Sequence, residues 1–301
     1  MTALRDFIDR HPRLCVLTGA GVSTSSGIPD YRDEAGEWKR ARPVEFRPFM
    51  TDPKVRQRYW SRSTVGWPII SAAQPNAAHR ALAKLEMNGL VELLITQNVD
   101  GLHAAAGSKN VIDLHGKLNL VRCMQCAHTL PREELQGRLL ADNPTWAQVE
   151  ASVAPDGDVD LSNPDYSEFV VPDCPECGGI LKPDVVFFGE NVPPERVARA
   201  FKGVANADAL LVVGSSLMVY SGYRFAEAAA SAGKPIAADR EGALELGMGE
   251  FKFEIVGPAR LQGKSRSEGE RGGGRIVAPG GQFPGAAQGA DGGSRFDARP
   301  V

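Results

Sequence analysis

No apolar run in the chain is long enough to cross a bilayer, which excludes a helical membrane span. The first dozen residues hold Asp6 and Asp9 and lack an apolar core, so no signal or transit peptide is expected and the cytoplasm is the simplest compartment. Cysteine is scarce: five residues in 301 do not make a disulfide scaffold. Charge of either sign is not in excess. A net charge of −3 gives no footprint for nucleic acid or an anionic membrane surface, and neither partner is expected. No long internal repeat is present. One absence is local. The turn Gly19-Ala20-Gly21-Val22-Ser23-Thr24 has Thr24 where the ordinary dinucleotide fingerprint needs its third glycine.

That turn is nonetheless the most informative stretch. It follows the apolar run Leu14-Cys15-Val16-Leu17, and a buried strand running into Gly19 and Gly21 lets backbone N–H groups come close to a pyrophosphate. Taken alone, it is equally a plain tight turn. Further strands are expected over Val91–Ile95, Val111–Leu114, Asp184–Phe188, Ala209–Val213 and from Lys234 to Ala238. Helices are expected over Asn76–Met87, Pro193–Val204 and Gly222–Ala232. This alternation predicts an α/β fold: a doubly wound, Rossmann-like parallel sheet with a smaller inserted module. Polar loops follow Leu17, Ile95 and Val213, at the carboxyl ends of strands, where open α/β sheets bind ligands. Residues 1–116 and 184–257 are assigned to the larger domain and 117–183 to the module. Pro29 to about Pro53 reads as a long mobile loop. The glycine-rich stretch 258–301 cannot bury enough apolar surface to offset its ordering entropy and reads as disordered.

Cys123-x-x-Cys126 and Cys174-x-x-Cys177 supply four thiolates for tetrahedral zinc. Four protein ligands leave no open position, so the expected metal is one structural zinc. Unmetallated thiols or disulfides are the plainer alternative. Cys15 reads as a small core residue. His115 follows a strand, where a histidine is often structural; its ordinary pKa near 6.5 also suits a general base. His128 reads as a surface loop residue and His79 as a helix residue.

The order of these segments carries more than any one of them. Thr18 to Arg32 is followed by Thr96-Gln97-Asn98-Val99-Asp100-Gly101-Leu102-His103 and by Leu114-His115-Gly116. The two cysteine pairs, Val186-Phe187-Phe188-Gly189-Glu190 and Val213-Gly214-Ser215-Ser216-Leu217 come next. The series resembles the sirtuins, the NAD-dependent protein deacylases, from about Arg13 to Ala238. Pro144-Thr145-Trp146, Ala154 to Asp158 and Lys182 to Gly189 look most like class II, the branch of the mitochondrial lipoamidase-type sirtuin.

The resemblance implies NAD as co-substrate and an acyl-lysine protein or peptide as partner. The acyl oxygen attacks the nicotinamide ribose, nicotinamide leaves, and the acyl group ends on ADP-ribose. His115 is implied as the base, with Asn98 and Asp100 orienting the cofactor. Gly19, Ala20, Gly21, Ser23, Asp30, Tyr31, Arg32, Gln97, Asn98, Val99, Asp100, Gly214, Ser215 and Ser216 are implied as the NAD site. Phe187, Phe188, Gly189 and Val219 match the segments that take the peptide as an added strand. Tyr59-x-x-Arg62 resembles the pair that holds a carboxylate in desuccinylase-type sirtuins; on a helix the same spacing is also commonplace. Arg240-Glu241-Gly242 stands where the family has an Asn-x-Gly, and the sequence after it does not resemble the family. Two rival functions follow: transfer of ADP-ribose to a protein nucleophile, and a catalytically impaired protein acting as an NAD and zinc interaction module.

Overall fold

The computed structural model of the chain describes residues 2–30, 43–149, 152–153, 159–160, 165–239 and 254–255. Tyr31, Arg32, Arg240-Glu241-Gly242 and the whole of 258–301 lie outside them. All described residues belong to one compact unit, Met1–Gly263; a second, Lys264–Val301, lies outside the described residues.

The chain opens with α1 (Thr2–Arg10), β1 (Leu14–Thr18) and a 3-10 turn over Ala20–Ser26. Then come α2 (Phe46–Thr51), α3 (Pro53–Ala72), α4 (Ala77–Met87), β2 (Val91–Thr96), α5 (Leu102–Ala105), β3 (Val111–Asp113) and β4 (Gly116–Cys123). β5 (Thr129–Pro131), α6 (Arg132–Asp142), β6 (Ser152–Val153), β7 (Val159–Asp160) and β8 (Leu181–Val185) follow. The described part closes with α7 (Pro194–Asn206), β9 (Ala209–Val213), α8 (Tyr220–Ser231), β10 (Ile236–Asp239) and β11 (Glu254–Ile255).

The main sheet has the order β11-β10-β9-β1-β2-β3 and is parallel except for β11, which pairs antiparallel with β10. β1 lies at its centre, and all five of its residues are buried. Its side chains alternate between two cores. Leu14 and Val16 pack with Leu4, Phe7 and Ile8 of α1 and Leu82 and Leu85 of α4. Cys15 and Leu17 pack with Ala200 and Val204 of α7 and Phe225, Ala226 and Ala229 of α8. Burial on both faces is what a parallel strand requires, and it explains the unbroken apolar run. Burial also pushes the Cys15 thiol up to about 12, as suits an inert core residue.

From β1 the chain passes to β2 on one side, while β9 pairs with β1 on the other. The order of strands therefore reverses between β1 and β9. The loops after these two strands diverge there, which is where a doubly wound sheet opens its crevice.

β4, β5 and β8 form a separate antiparallel sheet, order β5-β4-β8. α3 and α6 pack on it through Trp60, Val65, Leu135 and Leu139 against Leu118, Val121 and Leu181. The excursion is tightly closed where it starts and ends. The Val186 N–H donates to the His115 carbonyl at 2.8 Å. Gly116, at φ +85°, lies so close to β8 that a Cβ there would sit 1.9 Å from the Asp184 carbonyl oxygen.

Two expectations change. The stretch expected to be a mobile loop up to Pro53 is helical from Phe46, and Phe49 is fully buried against Tyr59 and Phe187. The Asp52 side chain accepts from the Lys54 N–H at 2.8 Å and Pro53 occupies the first turn, a helix start hidden among loop-forming residues. The strand expected over Asp184–Phe188 is instead Leu181–Val185, because its pairing is set by β4 rather than by its own apolar run. Among the described residues, no helix is long and apolar enough to cross a membrane.

Candidate active site

Three loops at the carboxyl ends of β1, β2 and β9 come together by backbone contact. The Gly21 N–H donates to the Gly214 carbonyl at 2.8 Å, and the Gly19 N–H to the Val213 carbonyl at 3.1 Å. A Cβ on Gly19 would stand 2.9 Å from the Gly214 oxygen and from Ser215. Gly214, at φ +61°, would place a Cβ 2.2 Å from the Val22 nitrogen. Glycine is needed here for contact between backbones as well as for conformation. The result is a close cradle of main chain at the reversal point, where a doubly wound sheet takes its ligand.

A buried polar cluster lies beneath it. The Ser23 hydroxyl donates to Asp100 Oδ2 at 2.7 Å and accepts from Asn98 Nδ2 at 3.0 Å. His79 is the third residue of α4. Its Nδ1 accepts the Asn76 N–H at 3.3 Å, so the ring proton sits on Nε2, which faces the Ser23 oxygen at 3.5 Å. Asp100 Oδ1 accepts from the Leu102 N–H at 2.9 Å, so the same carboxylate starts α5. Thr18 Oγ1 lies 2.9 Å from His103 Nε2, and the His103 ring lies tilted at 56° against His79 with centroids 4.8 Å apart. Burial holds His103 down to about 3, helped by the neighbouring His79. Desolvation also lowers His79 against the pull of Asp100. Both rings are therefore neutral near pH 7.

Gln97 ties the loops together. Its Nε2 donates to Ser215 Oγ at 2.8 Å, and its carbonyl receives His115 Nδ1 at 3.0 Å. His115 is thus fixed at the end of β3. A carbonyl oxygen can only accept, so Nδ1 carries the proton and Nε2 is the acceptor nitrogen. Nε2 meets the Ser221 hydroxyl at 2.8 Å. Desolvation lowers His115 to about 4; the Gln97 carbonyl opposes the shift, and the charges of Arg224 and Arg196 add to it. The ring is a neutral acceptor across the neutral range, further from 6.5 than the sequence alone suggests.

The structure therefore brings Gly19, Ala20, Gly21, Ser23, Gln97, Asn98, Asp100, Gly214, Ser215 and His115 into one constellation. Val99 is packed into the apolar core, and its carbonyl is taken by the Leu118 N–H. Ser216 is exposed. Tyr59 and Phe187 meet edge-on, with centroids 5.2 Å apart. Arg62 is buried on the same helix, and its Nε donates to the Val159 carbonyl. Phe188 is partly exposed, and its carbonyl accepts the Phe46 N–H. Lys182 is buried under this segment. It pairs with Glu190 at 2.9 Å, and Glu190 also accepts the Phe187 N–H at 2.9 Å. Val219 caps the start of α8.

Sequence reasoning missed Thr18, His103 and Ser221. The first two are isolated polar residues whose 85-residue separation hides their contact. The signal for Ser221 was its place just after the loop that follows β9.

Some distance away, Cys123, Cys126, Cys174 and Cys177 bring their sulfurs within 4.8 Å of one another. Cys123 and Cys177 are 3.5 Å apart and Cys126 and Cys174 3.8 Å, too far for disulfides. A zinc ion with Zn–S bonds of about 2.3 Å has sulfur–sulfur edges of about 3.8 Å. The cluster fits that ion, and its thiolates would hold β4 to the segment leading into β8.

The chain matches the model of the Sir2 family over residues 19–221. It is 65% identical over 236 residues to an NAD-dependent protein deacetylase of Xanthomonas campestris, covering 78% of this chain and 80% of that protein. A protein of the same name from Bordetella bronchiseptica is 61% identical, covering 79% of this chain and 87% of its own length. A solved Sir2 structure with a p53 peptide and NAD+ superposes with a TM-score of 0.62 at 30% identity, covering 78% of this chain and 84% of its own. A Sir2 homolog–NAD complex gives 0.58 at 36% identity, with 78% and 80% covered. This chain belongs to the Sir2 family.

Proposed function

We propose that the chain is an NAD-dependent protein lysine deacylase in which His115 Nε2 is the general base. The observation that carries this reading is the fixed tautomer of His115. Nδ1 is spent on the Gln97 carbonyl, so the one lone pair is on Nε2, where the Ser221 hydroxyl meets it. NAD supplies the electrophilic ribose carbon and the leaving nicotinamide, and ADP-ribose receives the acyl group. The protein's part is to bind, orient and remove a proton. The Gly19–Gly214 cradle and the Ser215 loop hold the cofactor, and Ser23, Asn98 and Asp100 orient its ribose end. Asp30, Tyr31 and Arg32 belong to the same proposed cofactor site. His115 draws a proton from a ribose hydroxyl, a role open to an imidazole that is neutral near pH 7. The names of the deacetylase relatives and the solved peptide complex support a protein or peptide substrate.

The finer assignments have separate supports. Phe187, Phe188, Gly189 and Val219 would pair with the peptide, and Tyr59 and Arg62 would face its acyl group. The Lys182 to Gly189 segment supports placing the chain beside the lipoamidase-type branch. The division into 1–116 with 184–257 and an inserted 117–183 is supported by a small sheet running from Gly116 to Val185. Transfer of ADP-ribose to protein finds no support in relatives named deacetylases.

The test is nicotinamide release and product analysis with an acetyl-lysine peptide. His115→Ala should lose about a hundred- to ten-thousand-fold in turnover with an unchanged circular dichroism spectrum. Wild-type turnover in that variant, or ADP-ribosylated protein as the main product, would refute the reading.

A further inference from the structure

The lone pair of His115 Nε2 is already occupied. Ser221, in the first turn of α8, places Oγ 2.8 Å from it, and the tautomer fixed by Gln97 makes the hydroxyl the donor. Ser221 is itself held, because Arg224 Nε donates to its carbonyl at 3.0 Å. The next residue, Gly222, packs against the Gln97 side chain, where a Cβ would come 2.5 Å from Oε1. Gln97 and α8 thus grip the imidazole from both nitrogens.

We propose that Ser221 relays the proton to His115: its hydroxyl donates to Nε2 of the neutral ring, gives that proton up as it takes one from the ribose, and accepts from the ring once it is protonated. The proposal rests on the reading of His115 as the base. Ser221 Oγ stands on the single lone pair of Nε2, so the Ser221 O–H proton forms the Nε2–H bond while the breaking ribose O–H bond returns a proton to Ser221 Oγ, and the ring becomes an imidazolium. A hydroxyl has one donor and two acceptor positions, so Ser221 can donate to Nε2 and accept from a second hydroxyl at once. Its bond to the charged ring is the stronger of the two. That matters because the other groups acting on the imidazole are burial, which disfavours its charge, and the cations Arg224 and Arg196. The Gln97 carbonyl, through Nδ1, opposes them. Ser221 adds an acceptor on the Nε2 side, where the proton arrives.

The experiment compares Ser221→Val with Ser221→Thr, near-isosteric side chains that differ by the hydroxyl, alongside Ser221→Ala as a smaller hydroxyl-free variant. Deacetylation kinetics are read together with the 15N resonance of His115 Nε2, which reports whether its lone pair accepts a hydrogen bond. Ser221→Val and Ser221→Ala should lose about ten-fold or more in kcat. KM for NAD and peptide should stay within about two-fold, and the Nε2 resonance should move to that of an uncapped imine nitrogen. Ser221→Thr should keep both near wild type. If His115→Ala is inactive while the hydroxyl-free variants turn over normally, or their Nε2 resonance does not move, the Ser221 proposal falls alone. If His115→Ala itself retains turnover, the base reading fails and the proposal falls with it.

Discussion

Acid should unfold this protein earlier than its net charge suggests, and His103 gives the clearest measure of why. In the folded chain burial holds it at about 3; unfolded, it titrates near 6.5. Below about 6.5 the unfolded chain takes up a proton that the folded chain refuses, so stability falls with pH. The contribution is fully present above about 6.5 and is lost progressively as pH falls toward about 3. At pH 5 the gap is about 1.5 pK units, or about 2 kcal/mol; at the lower limit it is about 5 kcal/mol. Whole domains have only about 5–15 kcal/mol to lose. His79 and His115, both lowered, act in the same direction. The assay is urea unfolding at pH 7 and pH 5 for wild type and His103→Gln, which keeps a polar group for Thr18 but does not titrate. The variant should lose about 2 kcal/mol less than wild type over that interval. Equal losses would refute the assignment of His103 as a buried neutral ring.

Freshly purified protein should carry about one zinc per chain, and Cys174→Ser or a strong chelator should lower the melting temperature, since a structural site contributes folding free energy directly; metal-free folded protein with four reactive thiols would count against it. Glu190→Gln removes the carboxylate from buried Lys182 and leaves its Nζ only the Pro183 and Val185 carbonyls, a loss of up to about 3–5 kcal/mol; a melting temperature within a degree of wild type would show that those carbonyls suffice for the charge. Gly214→Ala forces a side chain into the Val22 backbone and should raise KM for NAD and destabilise the fold together, both checked on one preparation. Arg62→Met should cost about ten- to a hundred-fold on succinyl- or glutaryl-lysine and little on acetyl-lysine. An equal loss on all substrates would assign Arg62 to its contact with Val159.

How far the sequence could be read depended on whether an element's cause was local. β1, β9 and α4 were legible nearly to the residue, because a strand buried on both faces is apolar throughout and Asn76 caps its helix with its own side chain. β8 was displaced because its limits come from antiparallel pairing with β4, far away in sequence. The helix starting at Phe46 was hidden by prolines and arginines whose burial only the tertiary fold decides. Within the site, residue types and order indicated His115, Asn98, Asp100 and the four cysteines. They did not indicate which nitrogen of His115 is basic, because that depends on a carbonyl 18 residues away and a hydroxyl 106 residues away.

The closure at Gly116 and Val186 has a consequence for how the chain tolerates change in length. Departure and return are stitched together beside His115, and the thiol cluster offers a second tie further out. Between Cys126 and Cys174 lie β5, α6, β6 and β7, and a loop joining two such elements has its ends held independently of its contour. Lengthening such a loop costs little, about 0.6 kcal/mol for each doubling. Insertions between these elements should therefore leave the spacing around His115 untouched, while one added residue between Leu114 and Gly116 would shift the imidazole off the Gln97 carbonyl.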